Sequence, residues 1–315
     1  MELLVKQFRG RFVDDNQLPV TVVEDPYFDE RIKMLEGEFH AQLKYLLLME
    51  TVRDNFGGNM QKFLEHRHSV KDQILSHILN SEGYKAMLAD KSPLEDCKFI
   101  VGANELYTEQ QDGGLFLSFD MIKANFQALR YVDPSIVLDC DTWEEFVARF
   151  SDVEYLASAK QVRQEVLGKL NGKRLAAIEK YHSNEFAKKL RECYGDWFTP
   201  FSIKTDEIIL KFNGSEKEFE RLNVQNEEFN GFKFRANKFK LNMRTFKRAF
   251  SDKRINIFEK EDFLDGHRRN LKCVPATYYP QVYKLLNGME ISDSDLVFSS
   301  DHELCKYMKP LELVK

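Results

Sequence analysis

Apolar positions near the start of the chain recur at helical spacing. Phe28, Ile32, Leu35, Phe39, Leu43, Leu46 and Leu47 predict a helix that begins at Asp25-Pro26, where Asp can cap and Pro can occupy the first turn, and ends near Phe56-Gly57-Gly58. A second helix follows over Met60 to Leu79, and a shorter one near Glu82 to Leu88 precedes the Lys91-Ser-Pro turn. Ahead of them, Leu18 to Val23 is β-prone. From Lys98 the character changes. Phe99 to Gly102 is β-prone, and Gln110-Gln-Asp-Gly-Gly114 is a turn into the apolar run Leu115 to Phe119, which ends on Asp120 and passes into a helix-like stretch, Met121 to Tyr131. Asp133-Pro134 closes that helix, and Asp141-Thr142 caps a short one over Trp143 to Phe150. Ser158 to about Arg191 reads as one long helix or a pair, broken at Tyr194-Gly195. Phe201 to Phe212 is a second β-prone run, interrupted by Thr205-Asp206-Glu207. Pro275 to Leu286 reads as helix and Asp295 to Ser299 as a short strand. Helices, strand, helices, strand and a mixed end predict an α+β fold. Its parts would be a mainly helical 1–97, a segment 98–231 holding both carboxylate-bearing strands, and 232–315 completing the sheet.

Charge sharpens this picture. The chain carries −5 overall, yet Phe232 to Arg254 holds nine Lys and Arg against one acid, Asp252, so this segment is +8 and the remainder −13. Phe232-Lys-Phe-Arg235 alternates aromatic and basic residues in a β pattern, and the mixture continues to Phe250. Cations neutralise phosphates and aromatic rings stack on bases, so Lys233, Arg235, Lys238, Lys240 and Arg244 are candidates for binding DNA or RNA. The competing reading puts the Phe side chains in the core and the cations on the wet side of a sheet, and both hold if the two faces divide the work.

No run approaches the ~18 apolar residues of a membrane span, and the N-terminus has no leader-like apolar core. The five cysteines are widely spaced without a CxxC pair, which suggests neither a disulfide framework nor zinc and fits a reducing compartment. An intracellular protein, cytoplasmic or nuclear, is expected. His66-Arg67-His68 lies in a predicted helix where residues two apart point to different faces, so solvated or partner-bonded side chains are expected there rather than a metal site.

Asp120 alone is most simply a turn former or helix cap. With Asp206-Glu207 in a second apolar strand, the chain offers carboxylates without evident ion-pair partners, and like-charged buried carboxylates are costly unless a cation or proton sits between them. Magnesium held by a few carboxylates and substrate phosphates is a common solution. Between the two stretches, Lys160, Arg163, Lys169, Lys173 and Arg174 crowd a helix region containing Gly168 and Gly172. Such cations suit a triphosphate. Each glycine costs a helix about 1 kcal/mol relative to Ala, so two together suggest close approach by another group.

These stretches together resemble the palm and fingers motifs of family A polymerases, the DNA polymerase I group. Leu115-Phe-Leu-Ser-Phe-Asp120-Met-Ile-Lys-Ala-Asn125-Phe-Gln-Ala-Leu-Arg130 resembles the family's strand ending in a metal-binding Asp, and Asn104 to Gly114 resembles its approach. Arg163 and Leu167-Gly168-Lys-Leu-Asn171-Gly172 match the basic residue and both glycines of the second motif and depart at its two aromatics. Thr205-Asp206-Glu207 resembles the third, His-Asp-Glu, without the His. The resemblance spans Asn104 to Phe212. It implies a palm-like antiparallel sheet with packed helices, a thumb-like helical N-terminal part, and fingers reduced to fit the 86-residue interval from Asp120 to Asp206. It implies that Asp120 and Asp206 hold two Mg2+ ions, with Mn2+ able to replace them, and that Glu207 supports them. Arg163, Lys160 and Lys169 would meet the incoming nucleoside triphosphate. Asn125 stands where the family has its sugar-discriminating Glu, and Asn171 where it has Tyr. The implied activity is nucleotidyl transfer to a 3′ hydroxyl of a primer or template, within a replication, transcription or repair assembly. Two other readings stand beside it. One is a nucleic-acid-binding protein with a palm-like fold and no catalysis. The other is a ligase-like covalent nucleotidyltransferase, because Lys169-Leu-Asn-Gly-Lys-Arg174 and Asp206-Glu-Ile-Ile-Leu-Lys211 resemble motifs of ligases and capping enzymes.

Overall fold

The computed structural model describes residues 2–90, 100–170, 172–248, 253–301 and 303–314. The chain begins with α1 (Glu2–Asp15), a helix that the expected pattern did not include, and continues through α2 (Tyr27–Met34), α3 (Glu36–Phe39), α4 (Ala41–Phe56), α5 (Met60–Asn80) and α6 (Glu82–Ala89). The single helix expected from Asp25 to Phe56 is therefore three, broken at Leu35 and at His40, whose φ of 51° is left-handed. Asp25 does not cap α2. Its carboxylate pairs with Arg9 at 2.9 Å instead. Leu18 to Val23 is not a strand, although Leu18, Val20 and Val22 are buried in alternation: the Val20 amide turns back to the Leu18 carbonyl at 2.8 Å, and Leu18 and Val20 pack into the helical core without a sheet partner. The expected Lys91-Ser-Pro turn, Phe99 and Asn171 lie outside the described residues, and Ile100 to Gly102 form no strand.

The centre of the sheet is β1 (Leu115–Met121). After it come α7 (Ala124–Val132), α8 (Trp143–Ala148), α9 (Glu154–Ser158), α10 (Lys160–Leu167) and α11 (Gly172–Tyr194). Thr142 caps α8 by accepting from the Glu145 amide at 3.1 Å. The region Ser158 to Arg191 is thus a helix pair. Gly168 is required by its own helix, since a Cβ there would lie 2.7 Å from the Gln164 carbonyl, whereas a Cβ at Gly172 would meet nothing. The run Phe201 to Phe212 proves to be parts of two strands, β2 (Phe198–Ile203) and β3 (Glu207–Phe212), joined by a bend at Lys204–Asp206. Beyond them lie α12 (Glu216–Arg221), β4 (Glu227–Phe229), the 16-residue β5 (Phe232–Lys247), β6 (Arg254–Asp262), β7 (Arg268–Lys272), α13 (Tyr279–Leu286), β8 (Val297–Ser300), β9 (Glu303–Lys306) and β10 (Glu312–Leu313).

The fold is α+β, with helices packed on an antiparallel sheet of order β2-β3-β1-β5-β6-β7, to which β4 and β10 add along β5. Side chains alternate across a strand, and cross-strand partners share a face. Leu115, Leu117, Phe119 and Met121 therefore point with Ile208, Leu210, Phe232 and Phe234 into the main core, which is continuous with the N-terminal helices. Phe116 points the other way with Ile209, Phe239, Leu241 and Phe258. At ~25 cal/mol per Å² of apolar area, both clusters favour this register over a one-residue slip, which would exchange the faces.

Candidate active site

Asp120 shares the face of Phe116. Its register partners are Glu207 on β3 and Arg235 on β5, so the three form a row of acid, acid and base across the sheet. Asp206 is brought to the same place by backbone bonds. The Met121 amide donates to the Asp206 carbonyl at 2.8 Å, and Ser183 on α11 donates to the Thr205 carbonyl at 3.0 Å. The bend is thereby fixed to the end of β1. Asp206 itself is exposed in that bend and not buried within a strand, contrary to the sequence expectation, because the chain reverses there.

Asp120 and Asp206 line a cavity of about 440 Å³ whose other walls include Asn125 from the start of α7, Lys160 and Arg163 from α10, and Gly168 just past its end. Among the described residues, neither Lys160 nor Arg163 makes a side-chain hydrogen bond or ion pair, so both cations are available to a ligand. Burial pushes the Asp120 carboxyl up, Asp206 pushes it the same way, and Arg235, Lys160 and Lys260 oppose them. Glu207 is raised by burial and by Asp120, with Lys260 countering. Burial in turn lowers the Lys260 ammonium, which lies 4.0 Å from the centre of the Phe239 ring. A pocket with this balance favours whatever brings further positive charge to the carboxylates.

The other sequence candidates separate. Lys169 is exposed past the end of α10 and does not line the cavity. The β5 cations divide by parity: Lys233 and Arg235 share the face of Asp120, whereas Lys238, Lys240 and Arg244 point to the opposite face. Lys238 is a correction to the expected nucleic-acid face. It is buried, and its ammonium donates to the carbonyls of Glu220 and Leu222 at 2.9 Å each. Lys240 pairs with Glu216 at 2.8 Å, and Arg244 with Glu259. The cause lies in β5, where Phe232 and Phe234 enter the main core while Phe239 and Leu241 enter the second cluster, so the apolar phase reverses near Asn237. Of the ligase-like pair, Lys211 on β3 donates to the Gln111 side chain in the turn before β1 at 2.9 Å. In His66-Arg67-His68 the side chains part: His66 meets Ser151, Arg67 is buried on Asp15, and His68 pairs with Asp72.

Two groups had no role in the sequence reading. Glu179 on α11 is buried with one carboxylate oxygen unpartnered, and burial together with Asp206 pushes its pKa up to about 8. Its place in the stripe Leu175, Ile178, His182, Phe186 is the signal that marks it, a charge where helical spacing demands core. Lys260 carries no such mark, because Glu259, Glu261 and Asp262 surround it in sequence.

Among the described residues no group of three or more His, Cys, Asp and Glu is gathered as a metal site. Asp120 and Asp206 present hard oxygen donors toward a cavity with free cations, a set that suits Mg2+ completed by phosphate oxygens. No helix among the described residues is long and apolar enough to cross a membrane. No family model, curated protein or solved structure matches the chain.

Proposed function

We propose that the protein is a nucleotidyltransferase of the polymerase kind, extending a 3′ hydroxyl of DNA or RNA with nucleoside triphosphates on a palm-like sheet. The observation that carries this reading is the convergence of Asp120, Asp206, Lys160 and Arg163, from three separate stretches of chain, on one cavity. Asp120 and Asp206 would hold Mg2+ or Mn2+, supported by Glu207, and the metal when bound would neutralise charge developing on the phosphoryl oxygens. Arg163 and Lys160 bind the triphosphate from the α10 side of the cavity, and Arg163 offers a planar fork that matches phosphate oxygens. Asn125 stands beside both groups and bounds the space left for the sugar. Lys233 and Arg235 extend the positive face along β5 for the strand. Such a site works by positioning and preorganised charge rather than by covalent chemistry of its own.

The test is primer extension with dNTPs and with NTPs, on single-stranded and primed-template substrates, in Mg2+ and in Mn2+. Extension by the unchanged chain that Asp120→Asn and Asp206→Asn both abolish supports the reading; extension insensitive to both substitutions overturns it. A second reading, nucleic-acid binding without catalysis, draws on Lys260, an internal cation that already offsets Glu207 and Asp120 without metal. In that case no substrate is extended, and binding is equal with and without Mg2+ and in both variants.

A further inference from the structure

A smaller cavity, of about 130 Å³, lies beside the proposed catalytic one and shares Lys123 with it. Its walls include Ile122, Phe126 and Trp143, and its rim Arg130 and Lys233. Trp143 is fully buried, yet its indole Nε1 has no acceptor, and the Nε of Arg130 has none either. Buried N–H groups are normally satisfied, and leaving one unmade costs ~1–3 kcal/mol. Gln127 cannot serve them, because its amide group is already engaged with the Ile122 carbonyl and with the backbone of Lys233. Arg130 is held by Asp141 and Lys123 by Glu144. Lys233 is exposed, and its ammonium has no partner among the described residues.

We infer that this cavity binds one unstacked nucleotide unit, the heterocycle inside and its phosphate on Lys233 at the rim. The volume excludes a whole drug-sized ligand, which fills ~300–1,000 Å³, and suits one planar ring. Ring nitrogens and carbonyls are the acceptors that Trp143 and Arg130 lack, and because both N–H groups are buried the Trp143 ring must shift for them to meet, a movement its own signal would report. The walls of Phe126, Trp143 and Ile122 suit a ring face, whereas a bare inorganic anion would lose hydration against them. The unit comes either from a free mononucleotide or from a strand held on the face of Lys233 and Arg235. The inference leans on the proposed function for this source and not for the site.

The experiment is 19F NMR of the full chain labelled with 5-fluorotryptophan. The chain has two tryptophans, Trp143 and the exposed Trp197, and Trp197→Phe assigns the signals. Adenosine, cytidine, guanosine and uridine monophosphates, inorganic phosphate, and a short single-stranded oligonucleotide are titrated separately. The expected result is a saturable shift of the Trp143 signal with at least one mononucleotide or with the oligonucleotide, weakened about fivefold by Lys233→Gln. That variant must keep the ligand-free Trp143 signal in place, which reports that the cavity is intact. Mononucleotide acting at lower concentration than oligonucleotide identifies a free ligand, and the reverse order identifies a strand. No shift with any nucleotide overturns the inference, as does an equal shift with inorganic phosphate or equal movement of both tryptophan signals. Primer extension by the unchanged chain separates the two readings: a Trp143 response in an unchanged chain that extends no primer retains this site and removes the polymerase, while extension without a Trp143 response does the opposite.

Discussion

Glu165 ties the proposed triphosphate helix α10 to the N-terminal helices, and replacing it with Gln tests that tie. Its carboxylate receives Arg11 at 3.1 Å, Arg67 at 3.2 Å and Lys71, while Arg67 also holds the buried Asp15 at 2.5 Å. Burial pushes the Glu165 pKa up, but the bonds from Lys71 and Arg67 prevail and hold it at about 2. Against an ordinary value of 4.5 this depression corresponds to about 3 kcal/mol. The side chain is 19% exposed, and screening brings the expected loss in Glu165→Gln to about 2 kcal/mol. The sign follows from linkage: a depressed carboxylate contributes stability above its unfolded pKa and loses it as pH falls through the folded value. Urea unfolding at pH 7 should show the full difference between the two proteins, and the difference should shrink from pH 4.5 toward 2. Because Lys160 and Arg163 ride on the same helix, the variant should also raise KM for the triphosphate several-fold with little change in kcat. Equal stability at pH 7, or a gap that persists undiminished toward pH 2, would refute the argument.

Asp120→Asn and Asp206→Asn should each lower extension by at least about a thousandfold, measured as single-turnover rates in Mg2+, with strand affinity retained. Arg235→Gln should weaken nucleic-acid binding and reduce the slope of log K against log salt by about one, whereas Lys240→Gln, on the opposite face, should leave that slope unchanged. Lys238→Met should also leave the slope unchanged and act on stability, because the buried ammonium bonds the Glu220 and Leu222 carbonyls. Glu179, with a pKa pushed up to about 8, contributes stability that is full below pH 4.5 and is lost as pH rises toward 8. Glu179→Gln should remove that loss, so its stability relative to the unchanged chain should grow between pH 5 and 8 in denaturant titrations. Parallel pH profiles would show that Glu179 is solvated.

Local pattern alone determined much of this protein. The helical spacing of α4 and α5, the Thr142 cap of α8 and the apolar run of β1 ending on Asp120 are all short-range, set by periodicity and capping within a few residues, whereas the same signals left one helix or two open between Ser158 and Arg191. The mixed class of the fold followed from their order. What only the tertiary structure decided depends on partners far away in sequence. Leu18 to Val23 alternates like a strand, but no neighbouring strand is there to pair with it. Asp206 lies in a bend, because β2 and β3 pair with each other and the chain must reverse between them. The strands β6 and β7 carry charges such as Lys260 and Arg269 that hide any apolar period, and they form because β5 offers an edge. The basic run of β5 read as one nucleic-acid face, yet burial of Phe234 on one side and Phe239 on the other reversed its phase and left Lys233 and Arg235 beside Asp120. Side-chain identity fixes what each residue can do, but the register of the sheet decides which residues do it together.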